Sequence, residues 1–447
     1  FPIARTRNSV NLEGARGAFY LNENKSASLL PEYYRGKAGL DTTFPLGDTA
    51  EMSMGGSFMI MRKDDRTDDR ESFERRDYIR ADAYFETELA PLENGILTLR
   101  VYDNYYQRNR DIYNGVIREW SRGFYFENEN LAALEAIGVY DGLSNFIFTA
   151  GIEGAYNSMD KYNLHNDGTF VNVDKEALYI QAEYFKEDLY SLVAGLRGER
   201  NSQFGFGGAP KLSAMLHLPK KGGGPSGFRI LGGAGLGYRA PSFSDLYITM
   251  DDTVVSGHPT VRGNENLKPE YALGFNLAVE YAKDNHYFAQ INAYYTELWN
   301  EIAENLVAPQ TYGYENVARS LRTGFDAEGR LTLFKSLFAS AGYSYLYAYD
   351  RTEAEELHVQ PAHTAKMKLG WDHQNTGIHT WLQSRFFSPL YPDNDSYDPR
   401  FVLDFYAAIT FAKHFKVHVS ADNLTGLIDP LGPFVGQTFT VGLKYFL

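Results

Sequence analysis

The chain has 447 residues, a formal net charge of −14, 44% hydrophobic and 15% aromatic residues, and no cysteine. The acidic balance argues against a duplex nucleic-acid partner, and the missing cysteine excludes a disulfide scaffold and any thiolate-held metal. No stretch nears the ~18 uninterrupted apolar residues of a membrane helix, which leaves a large soluble protein or an all-β protein whose hydrophobicity hides on alternate residues, as in outer-membrane barrels.

The opening Phe1-Pro2-Ile3-Ala4-Arg5 lacks Met, a basic n-region and an apolar h-region, so the expectation is a processed start or a start inside a longer protein. Polar segments then recur at 20–33, 63–76, 105–120, 158–174, 200–210, 239–268, 297–320, 348–361, 386–399 and 424–437. Between them lie short connections such as 46–49, 185–188, 282–285, 334–336, 373–376 and 412–414. Segment 126–144 breaks the scheme: it is long for a short turn, and its Leu131-Ala132-Ala133-Leu134-Glu135-Ala136 looks helical. The run Lys220-Lys221-Gly222-Gly223-Gly224-Pro225 lacks the spacing of a phosphate-binding loop and reads as a flexible turn.

The C-terminal half alternates strictly. Tyr271, Leu273, Phe275, Leu277, Val279 and Tyr281 share one face against Gly274, Asn276 and Glu280. The same period runs through 325–333, 403–411, 415–421 and 439–447. Successive strand residues point to opposite faces, so each segment is apolar on one side. Alternation alone does not separate a sandwich from a barrel. Strands of roughly ten residues suit a tilted membrane crossing, and short turns alternating with long loops are the up-and-down pattern of an outer-membrane barrel. About ten long loops imply about twenty strands. The expected fold is therefore all-β, a transmembrane antiparallel up-and-down β-barrel of about 20–22 strands, as one domain over 1–447. Lys444, Lys416, Asp404, Glu280, Arg330 and Glu328 fall on its lumenal face, where mutual pairing is expected.

Three segments carry a resemblance. Tyr238-Arg239-Ala240-Pro241-Ser242-Phe243, followed by Asp245-Leu246-Tyr247, resembles the aromatic-Arg-Ala-Pro box of TonB-dependent outer-membrane receptors, which leads a strand into a large extracellular loop. Gly263-Asn264-Glu265-Asn266-Leu267-Lys268-Pro269-Glu270 resembles their Asn-Pro-x-Leu box, where the chain returns to the barrel, with Glu265 in place of the usual Pro. Glu315-Asn316-Val317-Ala318-Arg319, then Gly324, Glu328, Asn423-Leu424 and the terminal run, complete the match over 34–447. Receptors of this family join a barrel of about 22 strands to an N-terminal plug. Nothing in this chain reads as a plug, so the resemblance implies the barrel part alone, with room for a missing first hairpin. The final Leu447 stands where Phe is more usual.

The resemblance implies an outer-membrane transporter rather than an enzyme, and no Ser/His/Asp or paired-carboxylate constellation argues otherwise. Its ligand is expected to be an iron complex, haem or a ferric siderophore, bound at the extracellular mouth and drawn inward through the plug by the TonB complex. A cobalamin receptor and a passive porin are the alternatives. Implied partners are outer-membrane lipid, a plug on the same or a separate chain, the TonB complex and a surface lipoprotein, with no nucleic acid.

His258, in Ser256-Gly257-His258-Pro259, lies in the loop where haem receptors of the family carry an axial histidine. A neutral imidazole suits haem iron, and a solvated loop histidine is the plainer reading. Tyr238 and Tyr247, with Tyr312 and Tyr314 around Gly313, are ring-bearing candidates for ligand stacking or for rim anchoring. Asp393, Asp395 and Asp398 are oxygen ligands suited to Ca²⁺. The cluster Asp64, Asp65, Asp68 and Asp69 is interleaved with Arg66 and Arg70 and reads as surface ion pairs.

Overall fold

The computed structural model describes the chain apart from residues 1–4, 22–26, 48, 67–72, 115–118, 163–169, 187–188, 220–224, 251–259, 285, 310, 335, 358–359, 374, 391–397, 413, 428–435 and 446–447. The first half contributes β1 (Arg5–Leu21), β2 (Ala27–Pro45), β3 (Ala50–Arg66), β4 (Phe73–Leu92), β5 (Gly95–Asn114), β6 (Glu119–Leu143), β7 (Phe146–Lys161), β8 (Val171–Lys186), β9 (Tyr190–Asn201), β10 (Gly205–Pro219) and β11 (Pro225–Arg239). A helix, α1 (Phe243–Tyr247), and the short β12 (Thr249–Met250) and β13 (Thr260–Arg262) follow. Then come β14 (Glu270–Lys283), β15 (Tyr287–Ala308), β16 (Thr311–Leu333), β17 (Leu337–Asp350), β18 (Glu355–Glu356), β19 (His363–His373), β20 (Ile378–Phe387), β21 (Arg400–Phe411), β22 (Phe415–Asp422) and β23 (Thr438–Tyr445).

Twenty of these strands form one antiparallel wall; β12, β13 and β18, of two or three residues each, belong to loops. Each wall strand pairs with its sequence neighbour, β11 pairing directly with β14 and β17 with β19. Strands β1 and β23 run side by side with Cα atoms within 8 Å, which brings the two ends of the wall together. Closure answers a physical requirement: in hydrocarbon every backbone N–H and C=O needs a partner, and a closed sheet leaves no edge. Among the described residues no helix is long and apolar enough to cross a membrane.

The alternation read from the sequence becomes two surfaces. Ile152 lies opposite Leu178, Ile180 opposite Leu196 and Val279 opposite Ile291, and all six are exposed on the outer face. Aromatic pairs border this belt at the short-turn rim: Phe146 with Tyr184 (4.7 Å between centroids), Phe228 with Tyr281 (4.5 Å) and Phe411 with Phe415 (5.5 Å). Such rings suit the membrane interface, where one end is apolar and the other wet. Leu178 is 59% exposed in the belt. Leu178→Arg is expected to cost about 2–4 kcal/mol, as a charge does on the lipid face near midplane. Reversible urea unfolding in lipid measures it; a cost below about 1 kcal/mol would place Leu178 away from the hydrocarbon core.

The lumenal face carries the paired charges. Arg100 bridges Glu86 and Glu135, Arg197 bridges Glu153 and Glu199, Arg229 meets Glu280, and Arg385 meets Asp404 at 2.8 Å. The expected mutual pairing of Glu280 and Asp404 is present, each with an arginine on the adjacent strand.

Several sequence expectations change in the structure. Segment 126–144 is no turn: Leu131–Ala136 lies inside β6, laddered to β5 and β7 along its length. The cross-strand ladder overrides the helical composition, because β preference depends on neighbours more than on intrinsic bias. Segment 200–210 is two strand ends joined at residues 202–204. Segment 297–320 is the extended tip of the β15–β16 hairpin, paired as far as Ala308 and Thr311. Strands of up to 25 residues arise because pairing continues past the apolar belt, where polar side chains on both faces do not disturb the ladder. Asp64 lies opposite Arg75 in the β3–β4 register, and Asp68 and Asp69 lie outside the described residues.

Candidate functional site: a clasp at the long-loop mouth

The three sequence boxes meet in space. Arg239, the last residue of β11, lies opposite Glu270, the first of β14. Its guanidinium donates to the Glu270 carboxylate and lies 3.8 Å from Asp245 of α1. The Glu270 side chain is nearly buried and also accepts from the Ile302 backbone N–H at 2.6 Å. One carboxylate therefore joins the first box, the second box and the β15–β16 hairpin. Helix α1 starts with a reciprocal cap: the Asp245 N–H donates to Ser242 Oγ at 3.2 Å and the Ser242 N–H to Asp245 Oδ2 at 2.8 Å. A Ser followed three residues later by an acid is the sequence sign of this cap.

The returning box locks onto the helix and the hairpin together. The Gly263 N–H donates to Ile248 O at 2.6 Å, and the Asn264 N–H to Asp245 O at 2.9 Å. The Asn264 side chain donates to Tyr314 O and accepts from the Asn266 N–H, both at 2.9 Å. Asn316 completes the lock, accepting from the Lys268 N–H at 2.7 Å and donating to Lys268 O at 2.9 Å and Asn300 O at 2.8 Å. Strand β13 pairs parallel with β16, placing Val261 opposite Tyr312 and Arg262 opposite Gly313.

The loop also folds inward. Phe243 packs with Met159 and Val173, all buried, with Val171 and Tyr247 around them. Met159 shares the strand parity of the lumenal Glu153, and Val173 that of Ala177, which lies opposite the lumenal Glu199. The helix therefore spans from β11 to the inner face of β7 and β8 and roofs part of the lumen. The Tyr247 hydroxyl accepts from Gln203 Nε2 at 2.9 Å, in the β9–β10 turn.

The tyrosine candidates thus occupy different settings. Tyr238 stands edge-on to Tyr271 at 5.5 Å, and its hydroxyl is buried without a hydrogen-bond partner. Its ring lies 2.8 Å from where a Cβ on Gly207 would be, so it is wedged into the wall. Tyr247, Tyr312 and Tyr314 are half-buried around the clasp. Ala240 and Pro241 lead into α1, and Leu267 is buried beneath the returning box. His258, Asp393 and Asp395 lie outside the described residues. Asp398 is exposed, and among the described residues no group of three or more His, Cys, Asp or Glu gathers to hold a metal ion.

Sequence reading missed Gln203, Met159, Val173 and Asn300. Asn300 carried a signal: it interrupts β15 with φ 54°, a left-handed conformation that Asn tolerates better than most residues, where the hairpin rises off the wall. The others lie on remote strands, and nothing local marks them.

Burial, and then the nearby Glu265 carboxylate, pushes the Tyr247 phenol above its ordinary 10.0, against the Gln203 hydrogen bond. A phenol with a raised folded pKa stabilises below the unfolded value, and that contribution is lost as pH rises through the folded value. The clasp is expected to loosen above pH 10.0 in the native chain, with a smaller alkaline change in Tyr247→Phe. Ultraviolet tyrosinate titration of both proteins measures this; identical titrations would remove Tyr247 from the clasp.

Long strands in one antiparallel wall, short turns on one rim, and a strand–helix–strand loop clasped over the other define an outer-membrane type of β-barrel. The chain belongs to the TonB dependent receptor-like β-barrel family, whose model matches residues 9–424. It lies in the outer membrane. An iron-regulated outer membrane virulence protein of Vibrio cholerae serotype O1 is 21% identical over 261 residues, 55% of this chain. The match spans 39% of that relative's length. The siderophore receptor PirA of Pseudomonas aeruginosa superposes with a TM-score of 0.69 at 16% identity, covering 100% of this chain and 81% of PirA. The copper transporter OprC superposes with a TM-score of 0.71 at 12% identity, covering 99% and 75% of the two chains. At these identities the superpositions establish a shared fold.

Proposed function

We propose that this chain is the wall and mouth of a receptor that captures an iron complex, a ferric siderophore or haem, for TonB-driven import through a plug. The observation that carries the reading is the clasp: Arg239, Glu270, Asn264 and Asn316 hold α1 and the returning residues 260–269 over the lumen beside Tyr247, Tyr312 and Tyr314. A loop tied inward gives a binding mouth what it requires, since ligand sites need fixed walls and a few placed polar groups. The names of the Vibrio and Pseudomonas proteins point to iron regulation and siderophores, so an iron chelate is favoured over cobalamin.

In the haem form of this reading His258 ligates the iron. The test is uptake: cells lacking the protein are supplied with it, and radiolabelled iron is offered as ferric siderophore or as hemin under iron restriction. Uptake is expected only with an intact TonB complex. For hemin, His258→Ala is expected to weaken the Soret shift and the growth response. Growth that needs neither iron complex nor TonB would sink the reading, and an unchanged hemin response in His258→Ala would remove haem from it.

A further inference from the structure

Above Trp299 the β15–β16 hairpin leaves the wall and joins a small sheet over the mouth. Its strand order is β12–β13–β16–β15, with β12 antiparallel to β13, β13 parallel to β16 and β16 antiparallel to β15. Strand β15 stands at the end of this sheet. Its pairing with β14 stops at Trp299, opposite Tyr271, whereas its pairing with β16 continues to Ala308. From Ile302 to Ala308, among the described residues, no strand lies against its other edge.

The main chain of that edge can be followed rung by rung. The Ile302 N–H points towards β14, since it donates to the Glu270 carboxylate. Alternate residues of an antiparallel ladder direct both main-chain groups to the same neighbour, so Glu304 and Leu306 turn theirs the same way. Among the described residues no hydrogen bond reaches those groups from that side. A side chain thus covers the first rung, and the next two stand open. Residues 304–308 are all exposed, Leu306 at 61% and Val307 at 47%. A register shift between Leu306 and Ala308, then Pro309, ends the edge. An open edge of this kind is a template for another strand, and charge selects among strands: residues 302–315 include Glu304 and Glu315 and no Lys, Arg or His.

A second copy of this chain does not fit the edge. Strand β15 rises from the short-turn rim to the mouth, so the edges of two barrels in one membrane run parallel. A two-fold axis between them sets Glu304 level with Glu304 and Leu306 level with Leu306, all turned into the gap. In a parallel ladder a residue turned into the gap lies level with one turned away, so the symmetric pair forms no rungs and brings like charges together.

We propose that the β15 edge docks an extended segment of another polypeptide by strand addition, a segment that carries lysine or arginine to meet Glu304 and an apolar side chain to meet Leu306. The inference goes beyond the uptake reading and stands without it. The test uses the protein purified from outer membranes in non-ionic detergent and a fluorescein-labelled hexapeptide of alternating lysine and valine. Binding is read by fluorescence anisotropy and position by amide hydrogen exchange. The peptide is expected to slow exchange at the Glu304 and Leu306 amides and to leave Asn305, already turned to β16, unchanged. Proline is tolerated at an edge position whose N–H faces solvent, so Leu306→Pro should keep the hairpin and weaken the peptide by at least about tenfold through the lost rung. Glu304→Gln should weaken it too and reduce its dependence on salt. Circular dichroism confirms that both variants keep their strands. No binding, equal binding by Leu306→Pro, or protection away from residues 304–306 overturns the proposal, as does equal binding of a peptide with glutamate in place of lysine. Slow exchange at Glu304 and Leu306 in the free protein overturns it as well: independent of protein concentration it means that the chain covers its own edge, and rising with concentration it means that a second copy does.

Discussion

Glu270→Ala is expected to open the mouth while leaving the barrel intact. The Glu270 carboxylate touches all three parts of the clasp: it accepts from the Arg239 guanidinium and from the Ile302 N–H. Removing it strands a backbone donor in a nearly buried position and leaves Arg239 with Asp245 alone, at 3.8 Å. Losing a charge-assisted hydrogen bond costs about 1.5–3 kcal/mol, and the orphaned N–H adds to it. Local opening should rise by roughly 10- to 150-fold. Hydrogen exchange reads this at the Ile302 amide and in α1, with the amides of β14 below Tyr271 as the internal reference. Glu270→Gln keeps an acceptor for Ile302 and loses the charge, so its effect should fall between wild type and Glu270→Ala. Unchanged exchange at Ile302 in Glu270→Ala would falsify the central role of this carboxylate.

The wall was legible in the sequence because its physics is local and periodic. Tyr271 to Tyr281 announces a one-sided strand, and Phe411 and Phe415 announce a girdle at a short turn. The boxes were legible as isolated motifs. Their meeting was not, because Asn264 and Asn316 are 52 positions apart in the chain and join through Tyr314 and Lys268. The length of the outer strands was misjudged for a related reason. In 297–320 neither face is uniformly apolar, so alternation fades although the ladder continues to Ala308. Hydrophobic period reports lipid contact, and backbone pairing extends beyond it. A lumenal row of Trp381, Tyr406 and His418 illustrates the opposite failure. Its rings sit on the face that alternation marks as polar, and only the register of three strands brings them together.

Gly263→Val should release the clasp more completely than loss of any one of its hydrogen bonds. A Cβ at Gly263 would lie 2.5 Å from the Leu246 carbonyl carbon and oxygen and from the Tyr247 nitrogen, all backbone atoms of α1. No side-chain rotation relieves such a contact, so the helix or the returning box must shift. Either movement breaks the Gly263 N–H bond to Ile248 O and lifts Phe243 from Met159 and Val173. Overpacking costs about 1–3 kcal/mol where side chains can adjust; against backbone the upper end applies, roughly a 100-fold increase in the open population. Limited digestion with chymotrypsin measures it as cleavage after Tyr247 in micelles, slow in the native protein and fast in the variant. Gly274→Ala is the control on the adjoining strand, where the nearest atom to a new Cβ is Thr296 Oγ1 at 3.9 Å. If the clasp positions Tyr247, Tyr312 and Tyr314 for a ligand, iron-complex affinity should fall with the same factor as cleavage rises. Fast cleavage with unchanged affinity would mean that the loop is a roof alone and that ligand is held elsewhere on the mouth.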